Sequence, residues 1–193
     1  MFHRKQVKHY HEPGQFHGFT FSCYDRLPLL TEEHRLIELA RCLDVANREY
    51  QMDLVAFVFM PEHLHLLVYP RDIKPEFGLY LARIKQPFSK QMKLKLIENC
   101  SPLLARLTVL ERPEKECFRF WQEGPGFDRN LETPQEITDN IDYINMNPVK
   151  RGLCQSPTDW KWSSACYYLD SPPKQQHPDI PHIHGLPPGT LDQ

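Results

Sequence analysis

His63 and His65 stand two apart in an apolar run, Leu64-His65-Leu66-Leu67-Val68-Tyr69, that leaves a Met60-Pro61-Glu62 turn. Alternate residues of a strand project to one face. The two imidazoles therefore point together, while Leu64 and Leu66 point to the opposite, core-facing side. Paired imidazoles at the start of a strand make half of a metal site. Spacing alone does not assign one, because His9-Tyr10-His11 and His182-Ile183-His184 share it. Those pairs lack the apolar strand. The first precedes Pro13-Gly14 and the second sits in a proline-rich tail.

A second set of reactive groups lies further along the chain. Thr133-Pro134-Gln135-Glu136 has the form of a capping box with proline at the first helical position, which predicts a helix over 133–147. Ile137, Ile141 and Ile144 form its buried stripe. Glu136, Asn140, Tyr143 and Asn147 form a polar stripe beside it. Tyr143 and Asn147 are four apart and so lie one turn from each other. Asn147-Pro148 is expected to end the helix, since proline disfavours α geometry in the residue before it.

Packed against the histidine strand, this helix would bring together two nitrogens, an amide oxygen and a phenol. Water and substrate oxygens would complete the shell of a hard octahedral ion, Mg²⁺ or Mn²⁺, with Mn²⁺ or Co²⁺ accepting imidazole more readily. A phenol, whose ordinary pKa is near ~10, is a weak nucleophile at neutral pH. It can attack a phosphodiester when a cation polarises the phosphoryl oxygen. The products are a covalent phosphotyrosine and a free hydroxyl. That link keeps the energy of the ester, so a second strand can displace the tyrosine. Each residue also has an ordinary reading: Tyr143 as a half-buried helix tyrosine, Asn147 as a cap before proline.

The 193 residues suit one domain with a tail, and 40% hydrophobic and 11% aromatic residues give it enough apolar surface for a core. No apolar run reaches the ~18 residues of a membrane helix. The polar start Met1-Phe2-His3-Arg4-Lys5-Gln6 shows no signal-peptide pattern, so a cytoplasmic protein is expected. Six scattered cysteines without a C-x-x-C pair argue for free thiols. A net charge of −2 does not advertise nucleic-acid binding. A local basic stretch does exist, because Arg83, Lys85, Lys90, Lys93 and Lys95 accumulate between Glu76 and Glu98 with no acidic residue between.

The elements that position these groups follow from patterning. Residues 1–14 form an N-terminal arm. Phe16 to Cys23 alternate as a first strand. Thr31 caps a helix over 32–50, and Leu54 to Phe59 form a strand apolar enough to be covered on both faces. The histidine strand follows and ends at Pro70. A helix over 75–97 should kink or break at Pro87. Residues 98–116 carry no clear period. Phe118 to Gln122 read as a further strand before a Gly124-Pro125-Gly126 turn. Trp160 to Ala165 form a short docked segment, and six prolines after Asp170 predict an extended or disordered tail over 168–193. Two strand–helix–strand halves joined by a hairpin give β-α-β-β-α-β. This is an α+β, ferredoxin-like antiparallel sheet with helices on one face, followed by the tyrosine-bearing helix.

Four ordered motifs together carry a resemblance: Met60-Pro61-Glu62-His63-Leu64-His65, Phe120-Trp121-Gln122, Asp142 to Lys150, and Asp159-Trp160-Lys161-Trp162-Ser163-Ser164. Over 15–167 the chain closely resembles the REP-associated tyrosine transposases, which are HUH single-tyrosine DNA transposases of bacterial insertion sequences. The resemblance implies His63, His65 and Asn147 as metal ligands. It implies Tyr143 as the nucleophile forming a 5′-phosphotyrosine on single-stranded DNA with hairpin-forming, REP-like ends. Glu62 falls at a variable position and receives no catalytic role. The stretch 92–116 and the Gly124–Gly126 turn depart from the family pattern. On this reading Arg83, Lys85, Lys90, Lys93 and Lys95 bind hairpin phosphates, and aromatic residues near 118–127 stack on unpaired bases. Members act as monomers or as homodimers that exchange the tyrosine helix. Two alternatives stay open: an inactive, domesticated DNA- or RNA-binding regulator on the same fold, and an unrelated metalloprotein built on His63 and His65.

Overall fold

A computed structural model of the protein describes residues 11–124, 126–170 and 176–191. The arm expected over 1–14 falls largely outside them. The elements are β1 (Phe16–Ser22), α1 (Glu33–Glu49), β2 (Met52–Phe59), β3 (His63–Pro70), α2 (Phe77–Glu98), α3 (Leu103–Leu107), β4 (Thr108–Arg112), β5 (Lys115–Phe118), β6 (Phe127–Leu131), α4 (Pro134–Lys150) and α5 (Ala165–Leu169). The main sheet is antiparallel with strand order β2-β3-β1-β6. Without the inserted α3 and the β4-β5 hairpin, this is the expected ferredoxin-like sheet.

Strand alternation divides the interior into two layers. Phe19, Phe21, Leu64, Leu66 and Val68 face one side, where α1 and α2 cover them with Leu39, Leu43, Tyr80, Ile84 and Phe88. Phe16, Val58 and Leu67 face the other side, where α4 covers them with Ile137, Ile141 and Ile144. β2 is buried on both faces, as its unbroken apolar run predicts. A register shift at Val55 adds one residue to β2, so Val55 and Ala56 both join the α4 layer.

Several local expectations give way to packing. α1 begins after Glu32 rather than at Thr31, and no side-chain cap bond forms there. α2 runs through Pro87 without a break. Ile84 and Phe88, on either side of that proline, are fully buried, and their burial offsets the lost hydrogen bond. α4 likewise runs through Pro148, so Asn147 does not end it. The helix ends instead in a Schellman turn. The Gly152 N–H donates to Val149 O at 2.9 Å and the Leu153 N–H to Pro148 O at 2.9 Å, with Gly152 at φ +68°. The capping box at the other end of α4 forms as predicted.

The edge beside β1 differs most from expectation. Phe118 to Gln122 are not the fourth strand; β6 is. Trp121 nonetheless bridges Cys23, and the Gln122 N–H donates to Ser22 O at 2.8 Å. Residues 120–122 and β6 thus flank the same edge of β1, interrupted by a glycine-rich bulge. Gly126 makes that bulge possible. It sits at φ +89°, and a Cβ there would lie 2.3 Å from Thr20 O.

The outer edge of β2 is covered by chain from the C-terminal third. The Phe59 N–H donates to Trp162 O at 2.8 Å and the Ser164 N–H to Phe57 O at 2.9 Å, which docks the tryptophan segment as expected. The tail, expected to be extended or disordered over 168–193, is docked where it is described: 168–169 end α5, and turns at 178–180 and 188–191 interrupt the rest. The His184 N–H donates to Leu54 O at 2.8 Å, and Ile183 is buried in the core. No helix is long and apolar enough to cross a membrane among the described residues.

Candidate functional site

β3 presents His63, His65 and Leu67 to the α4 side of the sheet, and the pleat of β1 sets Thr20 directly opposite His65. The two histidines meet through their Nε2 atoms, which stand 3.1 Å apart. Each Nδ1 has its own partner. His65 Nδ1 lies 2.7 Å from Thr20 Oγ1, and His63 Nδ1 lies 3.1 Å from Glu62 Oε1. A carboxylate only accepts, so His63 carries its proton on Nδ1 and keeps a lone pair on Nε2. The Thr20 hydroxyl can donate or accept, so His65 can hold either tautomer.

Electrostatics keep both rings neutral. Burial, with His63 as a smaller contribution, pushes the His65 imidazole down to about 4. Burial also lowers His63, against the opposing pull of Glu62. For Glu62, burial raises the carboxyl, but the Arg151 hydrogen bond and the charges of His63 and Arg151 outweigh it and hold Glu62 below its usual value. Neutral imidazoles with occupied Nδ1 atoms are the form in which histidine ligates metals.

α4 supplies the rest. The Tyr143 ring meets the His65 ring edge-on, with centroids 5.3 Å apart, and remains 45% exposed. One turn later Asn147 is buried. Lys150 Nζ lies 5.3 Å from the centre of the Tyr143 ring. Arg151, just past the helix end, donates to Glu62 Oε1 at 2.8 Å. The structure brings His63, His65 and Tyr143 together, with Asn147 one turn further along the same helix.

A divalent cation fits the pair of imidazoles. Two donors ~2.1 Å from one octahedral ion and at right angles stand about 3 Å apart, which the Nε2 spacing matches. Among the described residues no cluster of three His, Cys, Asp or Glu side chains could hold a metal. Asn147, one turn after Tyr143 on α4, carries a neutral amide oxygen of the kind a hard cation accepts.

The expected phosphate contacts are not brought to this site. α2 packs on the opposite layer from the histidines. Arg83 Nε pairs with Glu49 at 2.6 Å. Lys85 is half-buried, with Nζ 4.3 Å from the centre of the Phe21 ring, and burial pulls its pKa to about 8. Lys90 and Lys93 are exposed on α2, and Lys95 is partly so. Of the aromatic residues expected to stack on bases, Phe120 and Trp121 are core residues, packed on Phe88. Phe118 is partly buried against the same core, and of the four only Phe127 is exposed. Sequence reasoning passed over Thr20, the structural part of Glu62, and Arg151. Thr20 could have been found from the strand pairing; the other two needed three-dimensional contact.

No family model matches the sequence. A Haemophilus influenzae protein named as a candidate REP-associated tyrosine transposase is 23% identical over 151 residues, 78% of this chain and 80% of that protein. The REP-associated tyrosine transposase of Escherichia coli K12 is 24% identical over 160 residues, 82% of this chain and 81% of that protein. A solved REP-associated tyrosine transposase bound to a REP hairpin shares the fold, with TM-score 0.63, 20% identity and 98% of each chain covered. The chain is similar to the family that its four motifs resemble.

Proposed function

From this likeness to the REP-associated tyrosine transposases, we propose that the protein is a metal-dependent enzyme that cuts and rejoins single-stranded, hairpin-ended DNA through a 5′-phosphotyrosine. The observation that carries the reading is the edge-on approach of Tyr143 to His65 at 5.3 Å, above two imidazoles whose Nε2 atoms converge. Binding alone requires neither arrangement. The relatives' names and the hairpin-bound neighbour point to the same substrate.

His63 Nε2, His65 Nε2 and the Asn147 side-chain oxygen would hold a Mg²⁺ or Mn²⁺ ion. When bound, that ion withdraws electron density from the phosphoryl group and offsets its developing charge. Thr20 and Glu62 hold the imidazoles in place from their Nδ1 sides. The Tyr143 oxygen attacks phosphorus and loses its proton. A phosphorus–oxygen bond forms as the bond to the 3′ oxygen breaks, and that oxygen leaves as a hydroxyl after taking a proton. Lys150 sets positive charge beside the phenol as it ionises. In the return step a 3′ hydroxyl attacks the phosphotyrosine, and Tyr143 leaves with its proton restored. Exposed Lys90 and Lys93 and partly exposed Lys95 would contact duplex phosphates across the sheet, whereas Arg83 and Lys85 are held by partners within the protein. A DNA substrate places the enzyme in the cytoplasm.

The test is a labelled single-stranded hairpin incubated with protein and Mg²⁺ or Mn²⁺, then denatured. A protein–DNA adduct is expected, absent with chelator and absent in Tyr143→Phe. An adduct that persists in Tyr143→Phe removes the proposed nucleophile. Tight binding with no adduct on any DNA end favours an inactive regulator.

A further inference from the structure

Beside Tyr143, between β6 and α4, lies a groove of about 500 Å³ whose lining includes His65 and Thr20. Its floor is β1 backbone at Gly18, where a Cβ would stand 3.5 Å from Leu131 Cδ1 and 3.8 Å from Asn140 Nδ2. Any side chain at position 18 would rise into the floor. One wall is β6, with Phe127 and Arg129 two apart on one face. The other wall is α4, with Glu136, Asp139, Asn140 and Tyr143.

Three features define what fits. Phe127 is 61% exposed at the rim, although Leu131 on the same strand is fully buried. An exposed aromatic face beside a reactive tyrosine is a stacking platform. Asn140 Oδ1 is buried and has no hydrogen-bond donor among the described residues. Such an acceptor is destabilising unless something donates a hydrogen bond to it. Its terminal torsion is soft, so the amide can turn toward a donor in the groove. Third, charge is graded along α4. Inside the groove Arg129 pairs with Glu136 at 3.5 Å and Asp139 adds a further negative charge, while Lys150 follows Tyr143 at the other end, where Arg151 is offset by Glu62. A phosphate is repelled from the groove and favoured beyond Tyr143. A neutral ring is not repelled.

We infer that this groove holds one unpaired nucleobase of the single strand, beside the phosphate that Tyr143 attacks. The base stacks on Phe127 and donates an exocyclic amino group to Asn140 Oδ1. This rests on the reading of Tyr143 as the nucleophile. Adenine, cytosine and guanine carry such an amine and thymine does not, so thymine is disfavoured at that position.

The experiment separates binding from chemistry. Tyr143→Phe protein, in chelator, is titrated with hairpin oligonucleotides carrying 2-aminopurine at successive single-stranded positions. One position is expected to lose fluorescence on binding. The loss should vanish in Phe127→Leu, which keeps apolar bulk at an exposed site, and return in Phe127→Tyr. At that position, replacing adenine by thymine should weaken binding about tenfold, and Asn140→Ala should level the two. Quenching that does not depend on Phe127 at any position overturns the inference, as does thymine binding as tightly as adenine. The adduct assay on unmutated protein runs in parallel. Adducts without Phe127-dependent quenching retire the base site and keep strand cleavage. Quenching without adducts supports the base site and retires the cleavage.

Discussion

Glu62 and Arg151 are joined by a hydrogen-bonded ion pair of 2.8 Å, and the same Glu62 oxygen faces His63 Nδ1 at 3.1 Å. One carboxylate oxygen therefore ties the end of the tyrosine helix to a histidine of the β2–β3 turn. Arg151 is half exposed, so the pair itself adds under ~1 kcal/mol to stability. Its effect should appear in ligand geometry. Glu62→Ala is expected to lower Mn²⁺ affinity about 10- to 100-fold by titration calorimetry, with a much smaller change in the unfolding midpoint. Arg151→Ala should lower it less, since the carboxylate remains. Unchanged affinity in Glu62→Ala would mean that His63 needs no orienting partner.

The pH dependence of stability follows from His65. Its folded pKa is pushed to about 4 by burial, against an ordinary value of 6.5. Between those values the unfolded chain binds a proton that the folded chain does not. This contribution is therefore present in full above pH 6.5 and is lost as pH falls toward 4. With chelator present, the unfolding free energy should drop by up to about 1.4 kcal/mol per pH unit from this residue alone. Denaturant titrations of His65→Gln should show a shallower acid slope. An equal slope in both proteins would contradict the assignment.

Gly126 reaches the site at second hand. Its backbone lies against Thr20, and Thr20 holds His65. Gly126→Ala adds a methyl where Thr20 O already sits and strains a positive φ of +89°. A loss of at least ~1–3 kcal/mol in unfolding free energy is expected, with weaker Mn²⁺ binding beside it. A stable variant with intact metal affinity would show that the bulge relaxes independently of β1.

Ile141 anchors α4 to the sheet and is 5% exposed. Ile141→Ala should cost ~2–4 kcal/mol by chemical denaturation. Because α4 carries Tyr143, adduct yield should fall further than the folded fraction does. A yield that only tracks the folded fraction would mean that the helix keeps its position without this contact.

Much of the site is legible in sequence because it depends on short-range periodicity. His63 and His65 share a face because strands alternate. The α4 start is visible because Thr133 and Glu136 cap each other within four residues. The proline readings fail for a complementary reason. Pro87 and Pro148 carry local penalties, whereas Ile84, Phe88 and Ile144 gain from distant partners that sequence spacing does not reveal. The basic run of α2 is equally blind to layer: spacing collects its cations on one helix but cannot say that the sheet separates them from the histidines. Tail docking depends on His184 meeting Leu54, 130 positions away, so no local pattern announces it.

The hydrogen bonds along the outer rim of β2 have an architectural consequence. From Leu54 to Phe59 that rim is already zipped shut by Trp162–Ser164 and His184. A neighbouring molecule cannot lengthen the sheet there by adding a strand of its own. The main sheet could be lengthened by a second copy only at its far rim, β6, and clipping the chain before Gln176 would expose a sticky backbone edge at Leu54.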